Sequence, residues 1–272
     1  MPQFLTEMDE AIVRAVARYR FMTAEDIGRL LYEPSSFSHV RARLKRLSGG
    51  DGKQGFLLYR FSQPDAKGGN PVRVYTLGTE GRVLLGLDTG KSRAVEPRVV
   101  GFYHLFHNLT VTRVLVAAAV WGRLQKAFEL TAAQPSYELA GAAVIPDAWL
   151  LFTRRADNRR YPFLVEIDNG TVFAHTFKEQ VGARLTFIES GEYERVFGIH
   201  AVKVVYLTTG SQTRLANLRG WVEEVLRETE MEDWGPVFKL ALLDPETIYN
   251  LQLFTERLFQ QPFKKTPVSL FD

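Results

Sequence analysis

Asp147, Glu166 and Asp168 are the side chains of this sequence best suited by type and spacing to do chemistry. Asp147 follows Pro146 inside a β-rich run, Val144–Thr153, and Glu166 and Asp168 close the next run, Tyr161–Asp168. Alternation along a strand puts Glu166 and Asp168 on one face and Val165 and Ile167 on the other. If the two runs pair across the polar turn Ala156-Asp157-Asn158, Asp147 comes close to both acids. Three clustered carboxylates repel one another unless a divalent cation or a basic partner neutralises them. Hard oxygen donors suit Mg²⁺ or Mn²⁺, which would generate hydroxide and stabilise charge at a phosphate. The competing reading is that the acids merely end their strands, solvated or paired with Arg154 and Arg155. Spacing alone leaves both open.

A second constellation lies near the N-terminus. Residues 38–73 hold eight basic side chains against only Asp51 and Asp65, although the whole chain carries just +3 (34 Lys+Arg, 31 Asp+Glu). Charge confined to one segment is the footprint of polyanion binding, and equally of an ordinary solvated face. Its surroundings favour the first. Apolar spacing predicts helices over 8–19, 24–32 and 37–47, the second opened by a capping box on Thr23. Two β-rich runs, 56–61 and 72–77, read as a long-looped hairpin, and 79–87 as a short helix. Helix, helix, basic helix and hairpin is the order of a winged helix-turn-helix. Ser38, His39, Arg41, Arg43, Lys45 and Arg46 lie off the Val40, Leu44, Leu47 stripe and would enter a major groove or meet phosphates. Lys53, Arg60, Lys67 and Arg73 on the hairpin would add backbone contacts.

The segment 88–101 has turn residues and little apolar period, and is read as a linker. It divides a winged helix-turn-helix domain, 1–90, from an α/β domain with a mixed central sheet, 102–272. The second domain is predicted as a helix over 102–127, strands near 136–139, 144–153, 161–168, 201–208 and 237–243, and helices over 172–190 and 212–229. An aromatic tail with Phe254, Phe259, Phe263 and Phe271 follows, expected to pack on the domain or on a partner. Absence of cysteine removes disulfides, thiolate metal sites and thiol catalysis. The first ten residues do not resemble a secretory signal, and Val114–Trp121 is shorter than the roughly 20 residues that span a bilayer. These features predict a cytoplasmic protein with no membrane role. Glycine-loop and nucleophile-elbow motifs are missing, and a packing role suits His104 and His107 better than metal binding.

The order of elements around Pro146-Asp147 and Glu166-Ile167-Asp168 resembles the PD-(D/E)xK nuclease-like superfamily. The resemblance implies that Asp147 and Glu166 are metal ligands, and that a lysine activates water two residues after Glu166. Asp168 stands at that position, so Lys178 on the following helix is the candidate replacement, with Gln180 similar to a glutamine common in the superfamily. Asn108 and His104 face the place of a further acid. Over almost its whole length the chain resembles the replication-relaxation family of plasmid and mobile-element proteins. Phe21–Ile27, Arg41–Leu47, Val74–Leu77, His104–Asn108, Pro146-Asp147 and Glu166–Thr171 carry that likeness.

Together these readings predict a sequence-specific, double-stranded-DNA-binding protein acting in replication or relaxation of a mobile element, or in its regulation. The nuclease-like domain is expected not to cleave. The alternatives are a Mg²⁺-dependent endonuclease and a transcriptional regulator whose second domain dimerises or binds an effector. Other replication or mobilisation proteins and a second copy are the candidate protein partners. Two consequences follow from sequence alone. Replacing Arg41, Arg43 and Arg46 with Ala should weaken DNA binding and spare the fold, and a fragment ending near Thr89 should fold.

Overall fold

The computed structural model describes residues 5–49, 55–61, 72–87, 101–139 and 144–272. Lys53, Lys67 and the expected linker up to residue 100 lie outside them. The chain is of mixed α/β type and divides into two compact units, Met1–Val116 and Ala117–Asp272.

In the first unit, α1 (Glu7–Tyr19), a short β1 (Met22–Thr23), α2 (Ala24–Leu31) and α3 (Phe37–Leu47) precede the hairpin β2 (Leu57–Phe61) and β3 (Arg73–Leu77). The short α4 (Thr79–Leu84) follows. The expected capping box forms at Thr23, whose hydroxyl accepts from the Asp26 amide while the Asp26 carboxylate accepts from the Thr23 amide. Thr6 and Asp9 build a second box at the start of α1. Ile12, Val13, Val16, Ile27, Val40, Leu44 and Leu47 are buried, as their helical spacing requires. The antiparallel sheet runs β1-β3-β2, leaving β2 at an edge. The next helix, α5 (Phe102–Leu124), contributes its first half to this unit. Leu105 and Leu109 share a small core with Phe21 and Val74, and the Thr112 hydroxyl donates to the Tyr19 carbonyl. The first unit therefore extends beyond residue 90 to Val116, because those apolar side chains complete its core.

The second unit holds a five-stranded mixed sheet, β4 (Phe128–Pro135), β5 (Ala148–Arg154), β6 (Arg159–Asp168), β7 (Lys203–Thr208) and β8 (Phe238–Leu242), in spatial order β4-β5-β6-β7-β8. The first two pairings are antiparallel and the last two parallel. One face buries Trp149, Leu151, Leu164, Val204, Tyr206 and Phe238 under α6 (Ala174–Glu189), α7 (Glu192–Phe197) and α8 (Gln212–Glu228). The other face carries an aromatic cluster. Phe271 lies 5.1 Å from Trp121, 4.6 Å from Phe128 and 5.6 Å from Phe152, centroid to centroid, and Phe254 stacks on Trp121 at 5.4 Å. The aromatic tail, with the short α9 (Pro245–Tyr249) and α10 (Gln252–Thr255), thus packs on its own sheet. Lys239 pins it further, its buried Nζ donating to the Ser269 carbonyl at 2.7 Å, and burial brings its pKa down to about 8.

Two expected boundaries are corrected here. The first strand is 128–135 rather than 136–139, which is a 3-10 turn, and the helix before it ends at Leu124. An edge strand bonded on one side accepts the bulge at Leu130/Ala132 and Pro135, neither of which reads as a strand. In addition, α5 is long and apolar enough, by length and composition, to cross a bilayer, and 61% of its most apolar window is buried inside the protein.

The position of α3 depends on Asp9. Its carboxylate is fully buried and accepts from the Thr6 amide at 2.8 Å and from Arg43 Nη1 at 3.0 Å, and it pairs with Arg46 Nη2. Arg43 also donates to the Thr6 hydroxyl at 2.8 Å. Burial works against the charge, but the Thr6 hydroxyl and amide and the Arg46 and Arg43 guanidiniums outweigh it and hold the Asp9 pKa at about 2. A carboxyl with a lowered folded-state pKa contributes stability above its unfolded value, and that contribution is lost as pH falls from about 4 towards about 2. Asp9→Asn should cost roughly 2 kcal/mol at neutral pH and flatten the acid limb of the stability profile. Urea melts of both proteins between pH 2 and 7 check this, and parallel profiles would refute it.

Candidate functional site

The β5–β6 hairpin forms as expected, with Ala148 opposite Val165, which brings Asp147 beside Glu166. The alternation also holds. Glu166 and Asp168 point to the face covered by α6 and α8 and are buried there. Each meets an arginine. Arg184 of α6 donates from Nε to Glu166 Oε1 at 2.7 Å and from Nη1 to the Gln180 carbonyl at 2.9 Å. Arg214 of α8 holds Asp168 through both oxygens, Nε to Oδ2 at 2.9 Å and Nη2 to Oδ1 at 2.7 Å. The Thr208 hydroxyl adds a third donor at 2.7 Å. Asp147 accepts from the Ile167 amide at 2.7 Å, which bolts the start of β5 to the end of β6.

Burial disfavours the Arg184 charge, but Tyr206, Glu166 and Asp147 restore it and raise its pKa above the ordinary value. The Arg184 guanidinium carbon lies 5.9 Å from the Tyr206 ring. Tyr206 sits opposite Glu166 in the parallel register, and its hydroxyl is buried with no hydrogen-bond partner among the described residues. Burial pushes that phenol well above its usual value.

Arg184 and Arg214 hold Glu166 and Asp168, two of the three acids that would have to bind Mg²⁺ or Mn²⁺, and Asp147 accepts from a backbone amide, so this arrangement does not fit a divalent ion. No group of three candidate ligands assembles among the described residues. Lys178, the candidate for activating water, forms an ion pair with Glu224 of α8, and that hydrogen bond raises its pKa. The expected partners Arg154 and Arg155 pair instead with Asp157 and Glu129. The Asn108 amide donates to the His104 carbonyl one turn back, a contact internal to α5.

The basic residues separate by face. Ser38, His39, Arg41, Lys45 and Arg46 are exposed, and Ser38, Arg41 and Lys45 recur at the spacing of one outward stripe. Arg43 and Arg46 occupy the flank turned to Asp9. Arg73 is exposed, whereas Arg60 is half-buried on the opposite face of the hairpin. The expectation that removing Arg43 and Arg46 would spare the fold is therefore corrected, because they neutralise a buried carboxylate.

Arg184 and Arg214 escaped the sequence reading although a signal was present. Arg184 falls on the apolar stripe of α6, Phe177, Val181, Leu185, and Arg214 precedes the corresponding stripe of α8, Leu215, Leu218, Val222. A cation on a buried stripe requires a buried anion.

A family model described as Replication-relaxation matches residues 13–202. No curated protein and no solved structure matches the chain.

Removing one partner of a buried pair strands the other charge, at a typical cost of about 3–5 kcal/mol. Arg184→Met should lower stability by that amount, and adding Glu166→Met should recover much of the loss. Chemical melts of the wild type, both single variants and the double variant check the coupling. Purely additive losses would show that the pair is not coupled. Mg²⁺ or Mn²⁺ should leave the wild-type thermal midpoint unchanged, and a rise abolished by Glu166→Gln would restore the metal reading.

Proposed function

The chain belongs to the replication-relaxation family, and from that premise we propose that it is a double-stranded-DNA-binding protein of a plasmid or other mobile element. Family membership suggests a role in replication or relaxation of such elements; how the chain takes part is our reading. In it, α1–α3 and the β2–β3 hairpin act as a winged helix-turn-helix, with α3 as the recognition helix. The observation that carries this is the outward stripe of α3, where Ser38, Arg41 and Lys45 stay exposed while the neighbouring arginines are spent on Asp9. Two cations and a hydroxyl on a surface helix, beside an exposed Arg73, suit phosphates and base edges of a major groove.

The sheet of the second unit is read as a PD-(D/E)xK-like scaffold that does not cleave. Its acids are matched by arginines that fasten α6 and α8 to the strand ends, and Asp168 takes the place of the expected lysine. This favours a DNA-binding or regulatory role over the Mg²⁺-dependent endonuclease. Such a role puts the protein in the cytoplasm, where the DNA is.

Arg41→Ala with Lys45→Ala should leave the thermal midpoint within a few degrees and weaken duplex binding. The slope of log affinity against log salt should fall by about one unit for each phosphate no longer neutralised. Anisotropy titrations from low to physiological salt read both quantities. Unchanged affinity and slope would remove α3 from the interface, and metal-dependent nicking of supercoiled DNA would overturn the non-cleaving reading.

A further inference from the structure

Besides Arg73, the β2–β3 hairpin carries aromatic rings that phosphate binding does not use. Tyr59 and Phe61 of β2 lie opposite Tyr75 and Arg73 of β3, so all four side chains share one face. Leu57 and Tyr75 are buried, and exposure then grows along the hairpin until Phe61 is 56% exposed and Arg73 is exposed beside it. The Arg73 guanidinium carbon stands 4.7 Å from the Tyr59 ring centroid and 5.5 Å from that of Phe61. The Tyr59 ring lies 5.8 Å from each of Phe61 and Tyr75. The outward stripe of α3 and this aromatic strip belong to the same compact unit.

A single exposed phenylalanine means little. Here it ends a row of rings with a guanidinium laid over them, on an edge strand of the unit that holds α3. The chemistry of that row is specific. The interior of a duplex offers phosphates and base edges, because each base face there is covered by its neighbour, whereas rings and a guanidinium plane offer flat surfaces. Such a platform complements a base whose face is free. The adjoining positive charge selects a nucleic acid over an uncharged aromatic partner.

We propose that Tyr59, Phe61 and Arg73 take up an unpaired base at the end of the duplex held by α3, so that the preferred ligand is a duplex–single-strand junction. This rests on the DNA-binding reading of α3, and the experiment separates the two. The full chain is titrated with a blunt duplex, the same duplex with an unpaired tail, and the tail strand alone. 2-Aminopurine at the first unpaired position reports stacking.

The tailed duplex should bind roughly tenfold tighter than the blunt one, with quenching of the probe. Phe61→Ala should abolish the preference and the quenching while leaving blunt-duplex affinity within about twofold, and Phe61→Trp should retain both. Equal binding of blunt and tailed duplex by the wild type, with no quenching, would overturn the inference and leave the α3 reading standing. Equal loss on both ligands in Phe61→Ala, or tail-strand binding as tight as the junction, would also overturn it. No binding to any of the three would overturn both readings.

Discussion

A carboxylate withdrawn from water keeps its charge only if donors replace the missing hydration, and here those donors are arginines. Glu166 and Asp168 end a central strand beneath two helices, where unpaired acids would repel each other and resist burial. Arg184 reaches down from α6 and Arg214 from α8, each with more than one hydrogen bond. The pairs do more than cancel charge. They tie the two helices to the end of β6, and the Thr208 hydroxyl joins the end of β7 to Asp168, so the helix positions and the chemistry of the strand ends are decided by the same contacts. Asp147, bonded to the Ile167 amide, fixes the third strand end in the same neighbourhood.

The same rule operates in the first unit with a different outcome. Asp9 is buried where α1 begins, and Arg43 and Arg46 are drawn to it. This splits a helix that is uniformly basic in sequence into a flank that holds the fold and a stripe that remains available. Net charge therefore overstates what α3 can offer a polyanion. Arg41 and Lys45 remain outward, and a clamped helix holds their backbone in a fixed orientation, so little backbone freedom would be given up on binding.

Packing explains the remaining long-range order. The aromatic tail closes the sheet face opposite α6 and α8, with Phe271 among Trp121, Phe128 and Phe152. Rings of this size contribute large buried areas, and their edge-to-face and stacked contacts specify geometry as well as burial. Gly122 shows how close the approach is, since a Cβ there would stand 2.7 Å from the Leu130 side chain. Glycine lets α5 lie against the start of β4.

Much of this was legible in one dimension. Periodicity located α1 to α3, α6 and α8, the Thr23 box located the start of α2, and alternation placed Glu166 and Asp168 on one face, because these depend on residues close in sequence. What escaped has a common cause. β4 is held by a neighbour on one side only and tolerates Ala, Gln and Pro, so its own residues do not declare it. The division near Val116 depends on Leu105 and Leu109 meeting Phe21 and Val74, far apart in sequence. Above all, the partners of the acids were decided by tertiary structure. Composition shows that cations exist and the helical stripes show where two are odd, but which guanidinium meets which carboxylate follows from how α6 and α8 cross the sheet. Charge pairing acts over a few ångströms in space, and neighbours at that range are set by the packing of whole elements.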